Sequence, residues 1–461
     1  LTPLSLNLSE AARAVGARNR AGFSMVALSG VSTDSRTVGP GELFFALRGE
    51  RMDGHRFLKD AFDRGASAAV ISEDVGTCRK GPCLRVEDTT RALGDLAGYL
   101  RRRHPLKVAA VTGSNGKTTT KEMLKSILGR KFKTLATEGN FNNLIGLPLT
   151  LFRLRDEHEA AVLEMGMNQF GEIARLTEIA APDMGLITNV GPAHIGGVGG
   201  IEGVARAKGE LFAGLASRAV AVVNLDDAHV VKAAETVAGP RLTFGSVDEA
   251  RVRLRGLRSR GLQGVRFELV MPAGRAEVRL PLLGRHNAFN ALAAAAAAVA
   301  FEMTPADIRA GLEAVKPAPG RLEIKKLAGP VYVLDDTYNA NPASTRAALE
   351  VLAGLKGRGR ALAVLGDMLE LGRNSRSRHE DLGRYAAELG LDLLVAVGPR
   401  ARYAAGGAEA AGLDGRVVHF RKADQAGTWL KTHIRPLDRV LVKGSRGMKM
   451  ETVIDCLKEG A

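Results

Sequence analysis

Only three cysteines occur among 461 residues, too few for a disulfide framework. Cys78 and Cys83 lack the second pair of ligands that a zinc site needs, so the three read as structural thiols of a chain kept in a reducing cytoplasm. Aromatic residues make up 5% of the chain and no RNA or DNA module signature is present, which argues against a nucleic-acid partner despite the formal charge of +15. The basic residues are spread along the whole chain, as suits a protein that handles several small anions. No apolar run reaches the roughly 18 residues a membrane span needs. The nearest, AFNALAAAAAAVAF, contains Asn290 and reads as a buried helix. The opening LTPLSLNLSEAARAVGARNR lacks the basic-then-apolar layout of an export signal and reads as a short strand followed by a helix capped near Ser9.

With 45% hydrophobic and 25% charged residues, a chain of this length divides into two to four globular domains. Two seams are legible. RRRHP ends a helical pattern, TTRALGDLAGYLRRR, with cations in its last turn and a proline stop. KPAPG interrupts a second run of alternating strand and helix patterns. The expected domains are therefore 1–104, 105–316 and 317–461. Between and beyond the seams, short apolar runs such as KVAAVTG, AAVLEMG, GLITNVG, ALAVLGD and RVLVKGS end in polar loops. Such runs predict an α/β fold with parallel sheets covered on both faces and ligands at the carboxyl ends of the strands. Residues 251–282 alternate and predict β-hairpins.

VTGSNGKTTTKEM carries the clearest chemistry. An apolar strand runs into Gly113, Gly116, Lys117 and Thr118 and then into a helical pattern. These are the small residues, helix N-terminus, phosphate-binding lysine and Mg²⁺-binding hydroxyl of a phosphate loop. The usual spacing would put a glycine where Val111 stands. Mg²⁺ takes hard oxygen ligands, and Glu164 at the end of AAVLEMG is placed to supply one. His194, in the glycine-rich loop NVGPAHIGG, is a further polar candidate.

TGSNGKT, LEMGMNQFGEI, TNVGPAHIGGVGG with AKGE, GRHNAFNALAA, GRLE, DDTYNANPAS, GDMLELG and KGSRGMKME together resemble, in order and over nearly the whole chain, the signature of the Mur ligases. These are ATP-dependent amino-acid and peptide ligases of bacterial cell-wall synthesis, and TGxNGKT is the family's own form of the phosphate loop. The resemblance implies an N-terminal uridine-nucleotide-binding α/β domain, a central P-loop ATPase-type parallel-sheet domain and a C-terminal Rossmann-like α/β domain. It further implies ATP held by Gly113, Ser114, Asn115, Gly116, Lys117, Thr118 and Thr119, with Asn287, Arg321 and Asp336 as additional nucleotide contacts. Mg²⁺ would be held by Thr118, Glu164, His194 and Lys208, the last carrying a CO₂-derived carbamate. Lys117, Lys208, His194 and Glu164 would form the catalytic set.

STDSRTVGPGELFFALRGERMDGHRF resembles the uridine-nucleotide domain of the two later Mur ligases, with Asp34, Ser35 and Arg36 as substrate contacts. TEGNFNNLIGLPLTL and DDTYNANPAS match the dipeptide-adding branch. They nominate Asn140, Asn142 and Asn143 for the sugar nucleotide and Tyr338, Asn339 and Asn341 for the dipeptide. The implied substrates are UDP-N-acetylmuramoyl-tripeptide and D-alanyl-D-alanine, joined by a monomer with no membrane span and no nucleic-acid partner. The alternatives are the sister ligase that adds a diamino acid, folylpolyglutamate synthetase and, from another class, a nucleic-acid-binding P-loop ATPase.

Overall fold

A computed structural model describes residues 6–17, 27–49, 52–73, 81–191, 198–327 and 329–458. Among the described residues no helix is long and apolar enough to cross a membrane. Three sheets mark three α/β domains. The first contains β1 (Gly30–Ser32), β2 (Glu42–Phe45), β3 (Ala68–Ile71) and β4 (Cys83–Arg85), paired in that order and all parallel. Cys83 is disulfide-bonded, which corrects the expectation of three thiols, while Cys456 is free and Cys78 lies outside the described residues. The N-terminal helix, Leu8–Ala14, is capped by Asn7, two residues earlier than Ser9 would set it. Asn7 accepts the Glu10 N–H, and the Glu10 carboxylate takes the Asn7 N–H in return, satisfying two donors that a helix start leaves open.

The helix Thr89–Arg103 joins this domain to the next. Asp88 caps it by accepting from Thr90 N and Arg91 N. At its other end Arg101 is buried and donates to Ala180 O at 3.0 Å across the domain boundary. A Cβ at Gly94 would lie 2.7 Å from Ile179 Cδ1, so this helix and the helix Glu172–Ala180 approach where the side chain is missing. One continuous apolar core runs from the first sheet into one face of the second.

The second sheet has nine strands: β5 (Lys107–Thr112), β6 (Thr134–Ala136), β7 (Ala160–Glu164), β8 (Met184–Ile187), β9 (Val220–Asn224), β10 (Arg241–Gly245), β11 (Val252–Ser259), β12 (Val265–Met271) and β13 (Gly274–Leu280). Their spatial order is 13-12-11-10-9-8-5-7-6, parallel except where β11, β12 and β13 pair antiparallel as the alternating sequence predicts. β5 and its neighbours read as unbroken apolar runs because helices cover both faces. The alanine-rich helix Arg285–Ala300 lies buried against this sheet.

The third sheet holds β14 (Glu323–Lys326), β15 (Tyr332–Asp336), β16 (Ala361–Gly366), β17 (Leu393–Val397), β18 (Val417–Phe420) and β19 (Arg439–Lys443), ordered 14-15-19-16-17-18. Only β14 runs antiparallel. β19 inserts between β15 and β16, so the carboxyl ends of β15 and β19 put Asp336 and Lys443 side by side in register.

Candidate functional site

The carboxyl ends of β7, β5, β8 and β9 lie on one edge of the middle sheet, and β15 and β19 of the third sheet end opposite them. Between the two is a cleft of about 1230 Å³. Its floor is the loop after β5. Gly113 and Gly116 adopt φ of 149° and 80°, which disfavour any other residue. A Cβ on either would also collide, 1.9 Å from Thr188 Oγ1 or 2.1 Å from Asn290 Oδ1. Those neighbours brace the loop. Thr188 Oγ1 donates to Asn115 O at 2.6 Å, Asn189 Nδ2 donates to the same oxygen at 3.0 Å, and Ser114 Oγ donates to Gly191 O at 2.9 Å. The displaced first glycine costs nothing here, because Val111 is a buried residue of β5 rather than part of the turn.

The helix Lys117–Leu128 begins at the end of this loop with its N-terminus on the cleft. Lys117 Nζ donates to Gly113 O at 2.8 Å, curling over the loop. Burial pushes the Lys117 pKa down; nearby Glu164 opposes that shift and Arg321 adds to it. Glu164 is buried at the end of β7. Its Oε1 accepts from Asn142 Nδ2 at 2.8 Å, and its Oε2 has no hydrogen-bond partner. Lys208, on the helix Ile201–Ala213, is 1% exposed and lines the same cleft. Burial, assisted by the Lys117 charge, holds its pKa well below the ordinary lysine value.

From the third domain Arg321 reaches across, donating to Thr118 Oγ1 at 3.2 Å with its guanidinium 4.2 Å above the Tyr338 ring. Asn341 Nδ2 donates to Asn115 Oδ1 at 2.7 Å. Asp336 accepts from Leu322 N and pairs with Lys443, whose Nζ also donates to Asn339 O at 2.9 Å. The cleft is thus lined with cations, amides and one orphaned carboxylate oxygen.

This chemistry fits a nucleoside triphosphate with Mg²⁺. Two glycines leave room for phosphate against backbone N–H groups, a lysine and an arginine offer positive charge, and the free Glu164 Oε2 offers a hard ligand beside the Thr118 hydroxyl. No three His, Cys, Asp or Glu side chains converge among the described residues.

Of the residues nominated from sequence, Ser114 to Thr119, Asn140, Asn142, Asn143, Glu164, Lys208, Asn287, Arg321, Asp336, Tyr338, Asn339 and Asn341 all line this one cleft. Gly113 lies beneath it, buried. His194 lies outside the described residues. Asp34, Ser35 and Arg36 are not brought into the cleft: Asp34 and Arg36 pair with each other at 2.7 Å in an exposed turn, and Ser35 is buried.

Some nominated side chains already have structural tasks. Asn341 caps the helix Pro342–Gly354, its Oδ1 accepting from Ser344 N at 2.9 Å. Asn143 Oδ1 accepts from Gly146 N at 2.8 Å. Asn287 ties back to Leu283 O and accepts from Asn290 Nδ2. The sequence reading did not nominate Thr188, Asn189, Asn290, His286 or Lys443, all of which line the cleft. Each stands inside a motif already quoted, in TNVG, GRHNAFN or VKGS, so position at a strand end or helix start was the available signal.

The three domains match family models described as the Mur ligase family catalytic domain at residues 27–99, the Mur ligase middle domain at 111–298 and the Mur ligase glutamate ligase domain at 320–446. The chain is 40% identical over 437 residues to UDP-N-acetylmuramoyl-tripeptide--D-alanyl-D-alanine ligase of Escherichia coli strain K12, covering 94% of each. A crystal structure of MurF from Acinetobacter baumannii superimposes with a TM-score of 0.92 at 38% identity, covering 100% of both chains. MurF ligase from Thermotoga maritima, solved in complex with ADP, gives 0.83 at 29% identity over 93% of this chain and 97% of that one.

Proposed function

The chain belongs to the Mur ligase family, and we propose that it is the ATP-dependent ligase that joins D-alanyl-D-alanine to UDP-N-acetylmuramoyl-tripeptide through an acyl phosphate. The observation that carries this choice within the family is the near-full-length similarity to that ligase.

A carboxylate does not accept an amine in water, because oxide is too poor a leaving group. The tripeptide's terminal carboxylate therefore attacks the γ-phosphorus of ATP, forming a C(O)–O–P bond as the β–γ bridging bond breaks and ADP leaves. The dipeptide amine then attacks the acyl carbon, loses a proton, and the C–O bond breaks to release inorganic phosphate and leave an amide. The chain's task in the first step is to bring one anion onto a polyanion. Lys117 supplies a positive charge at the floor of the cleft and Arg321 another from the facing domain. The N–H groups at the start of the helix Lys117–Leu128 present further positive dipole. Thr118, Glu164, His194 and Lys208 would hold Mg²⁺, which when bound neutralises phosphate charge.

We assign Asn287 and Asp336 to the nucleotide, Asn140, Asn142 and Asn143 to the sugar nucleotide, and Tyr338, Asn339 and Asn341 to the dipeptide. Asp34, Ser35 and Arg36 are assigned to the uridine diphosphate end. We keep a carbamate on Lys208 as a proposal: the family comparison does not carry it, and what favours it is that the side chain is buried with no paired carboxylate among the described residues and has a depressed pKa, since CO₂ reacts with the neutral amine. Carbon-13 bicarbonate should give a carbamate NMR signal that is absent from Lys208→Arg; an unlabelled protein would leave Lys208 a plain amine. We take 1–104, 105–316 and 317–461 as the functional domains, the third closing over ATP about KPAPG to exclude water from the acyl phosphate. We take the chain to act as a monomer, and ATP chemistry on a nucleotide-linked precursor supports a cytoplasmic site.

The deciding measurement is ADP release in the presence of UDP-tripeptide. Dependence on D-alanyl-D-alanine is expected. Stimulation by lysine or diaminopimelate instead would assign the chain to the sister ligase. Stimulation by single-stranded DNA or RNA without UDP-tripeptide would assign it to the ATPase class.

A further inference from the structure

The antiparallel end of the middle sheet has two unlike faces. Val265, Phe267, Leu269, Met271, Val278 and Leu280 point inward and are buried against the core that includes the alanine helix. The outward positions form three rows fixed by register: Arg258–Arg266–Arg279, Arg255–Glu268–Glu277 and Arg253–Val270–Arg275. Six of these nine are arginine, and the side chains of Arg255, Arg266, Arg275 and Arg279 are 49%, 51%, 64% and 60% exposed. Like charges directly opposite across a ladder destabilise a sheet. Carboxylates relieve part of this: Glu277 lies 3.6 Å from Arg266 and 3.8 Å from Arg279, Asp248 3.2 Å from Arg253 and 3.5 Å from Arg255, and Glu268 4.0 Å from Arg275, while Arg258 has no carboxylate partner among the described residues. The cleft chemistry has no use for these rows.

We propose that this face docks the enzyme reversibly on a membrane surface rich in anionic phospholipid. Guanidinium groups take phosphate oxygens in bidentate pairs, which suits headgroup phosphates. The face is three strands wide, about 10 Å across. No aromatic side chain stands outward on which a base could stack. Two glutamates divide the arginines into separate stripes. Lipids that diffuse in the plane can gather under the stripes and leave the glutamates, whereas a polymer of fixed phosphate spacing cannot.

The test is co-sedimentation of the full chain with vesicles of phosphatidylglycerol and phosphatidylcholine, against pure phosphatidylcholine. Binding should require phosphatidylglycerol and vanish at about 0.5 M salt, where the screening length is roughly 4 Å. Arg258→Glu/Arg266→Glu/Arg279→Glu should weaken it at least about tenfold. The single variant Arg266→Glu, which alternates the charges of its row, should weaken it less while keeping the thermal midpoint. Because the chain carries +15 overall, a matched reversal elsewhere, Arg376→Glu/Arg384→Glu/Arg402→Glu, is the control and should bind as wild type. Equal loss in the control, no binding to phosphatidylglycerol vesicles, or displacement from them by duplex RNA that binds more tightly would each overturn the proposal.

Discussion

The phosphate loop and the turn at Asp34–Arg36 are both short polar segments that follow strands, yet they are built in opposite ways. The loop is held from outside: Thr188, Asn189 and Asn290 press on it from other elements, two glycines are sterically required, and the Lys117 ammonium folds over its own backbone. The turn is held from within. Asp34 and Arg36 satisfy each other, Arg36 remains 81% exposed, and among the described residues no hydrogen bond or ion pair from another domain reaches the pair. A site whose groups are fixed by their surroundings keeps its geometry when a ligand arrives. A self-paired turn must first exchange one ion pair for another.

Breaking the loop should have the largest effect. Lys117→Ala is expected to lower the ligation rate roughly a thousandfold in the ADP-release assay, with the fold intact by circular dichroism. Retained activity would sink the assigned role. Glu164→Gln keeps the bond from Asn142 but removes the charge beside the unpartnered oxygen, so turnover should fall about a hundredfold and the Mg²⁺ needed for half-maximal rate should rise. Asn341→Ala removes a helix cap and the contact to Asn115 together. Chemical denaturation should show a loss of about 1 kcal/mol, and an unchanged midpoint would mean that another group takes over the cap.

The turn gives the smallest and most specific signal. Its hydrogen bonds from Arg36 lower the Asp34 pKa from 3.8 to about 2. A depressed carboxylate pKa gives stability that is complete above 3.8 and is lost as pH falls through about 2, so the contribution is constant at neutral pH. Exposure and screening keep it small. NMR titration of Asp34 should move back toward 3.8 in Arg36→Ala. The same variant should raise the KM for UDP-tripeptide several-fold with kcat unchanged, because it weakens binding equally in ground and transition states. A change confined to kcat would place Arg36 in the chemistry.

Much of the fold was legible because each local pattern agreed with its long-range partner. Apolar runs became buried parallel strands, and the alternation after Arg251 became antiparallel hairpins. TTRALGDLAGYLRRR became the helix Thr89–Arg103 between its Asp88 cap and arginine end. The helix start at Asn7 was missed because Ser9 is also a good cap, and only the reciprocal bond with Glu10 distinguishes them. In the cleft, strand-end residues were readable because strand ends are where open α/β sheets put ligands. What the sequence could not show was whether a polar side chain was already occupied. Asn341 and Asn143 share the chemistry of Asn140, but two of the three are spent on helix starts. Nor could it show that the arginines of three separate segments would fall into rows, since that depends on the register shift between Arg255 and Arg258.

The alanine helix has a consequence for how this protein can vary. Ala288, Ala291 and Ala294 to Ala298 have no exposed surface, and Asn287 and Asn290 project from the same helix to the cleft, Asn290 against Gly116. The run of methyl groups therefore works as a spacing gauge. It sets how close the helix rides on the sheet, and thereby the height of both amides above the phosphate floor. Enlarging any one of these alanines to valine would tilt the gauge and retune a nucleotide site that the substituted residue never touches.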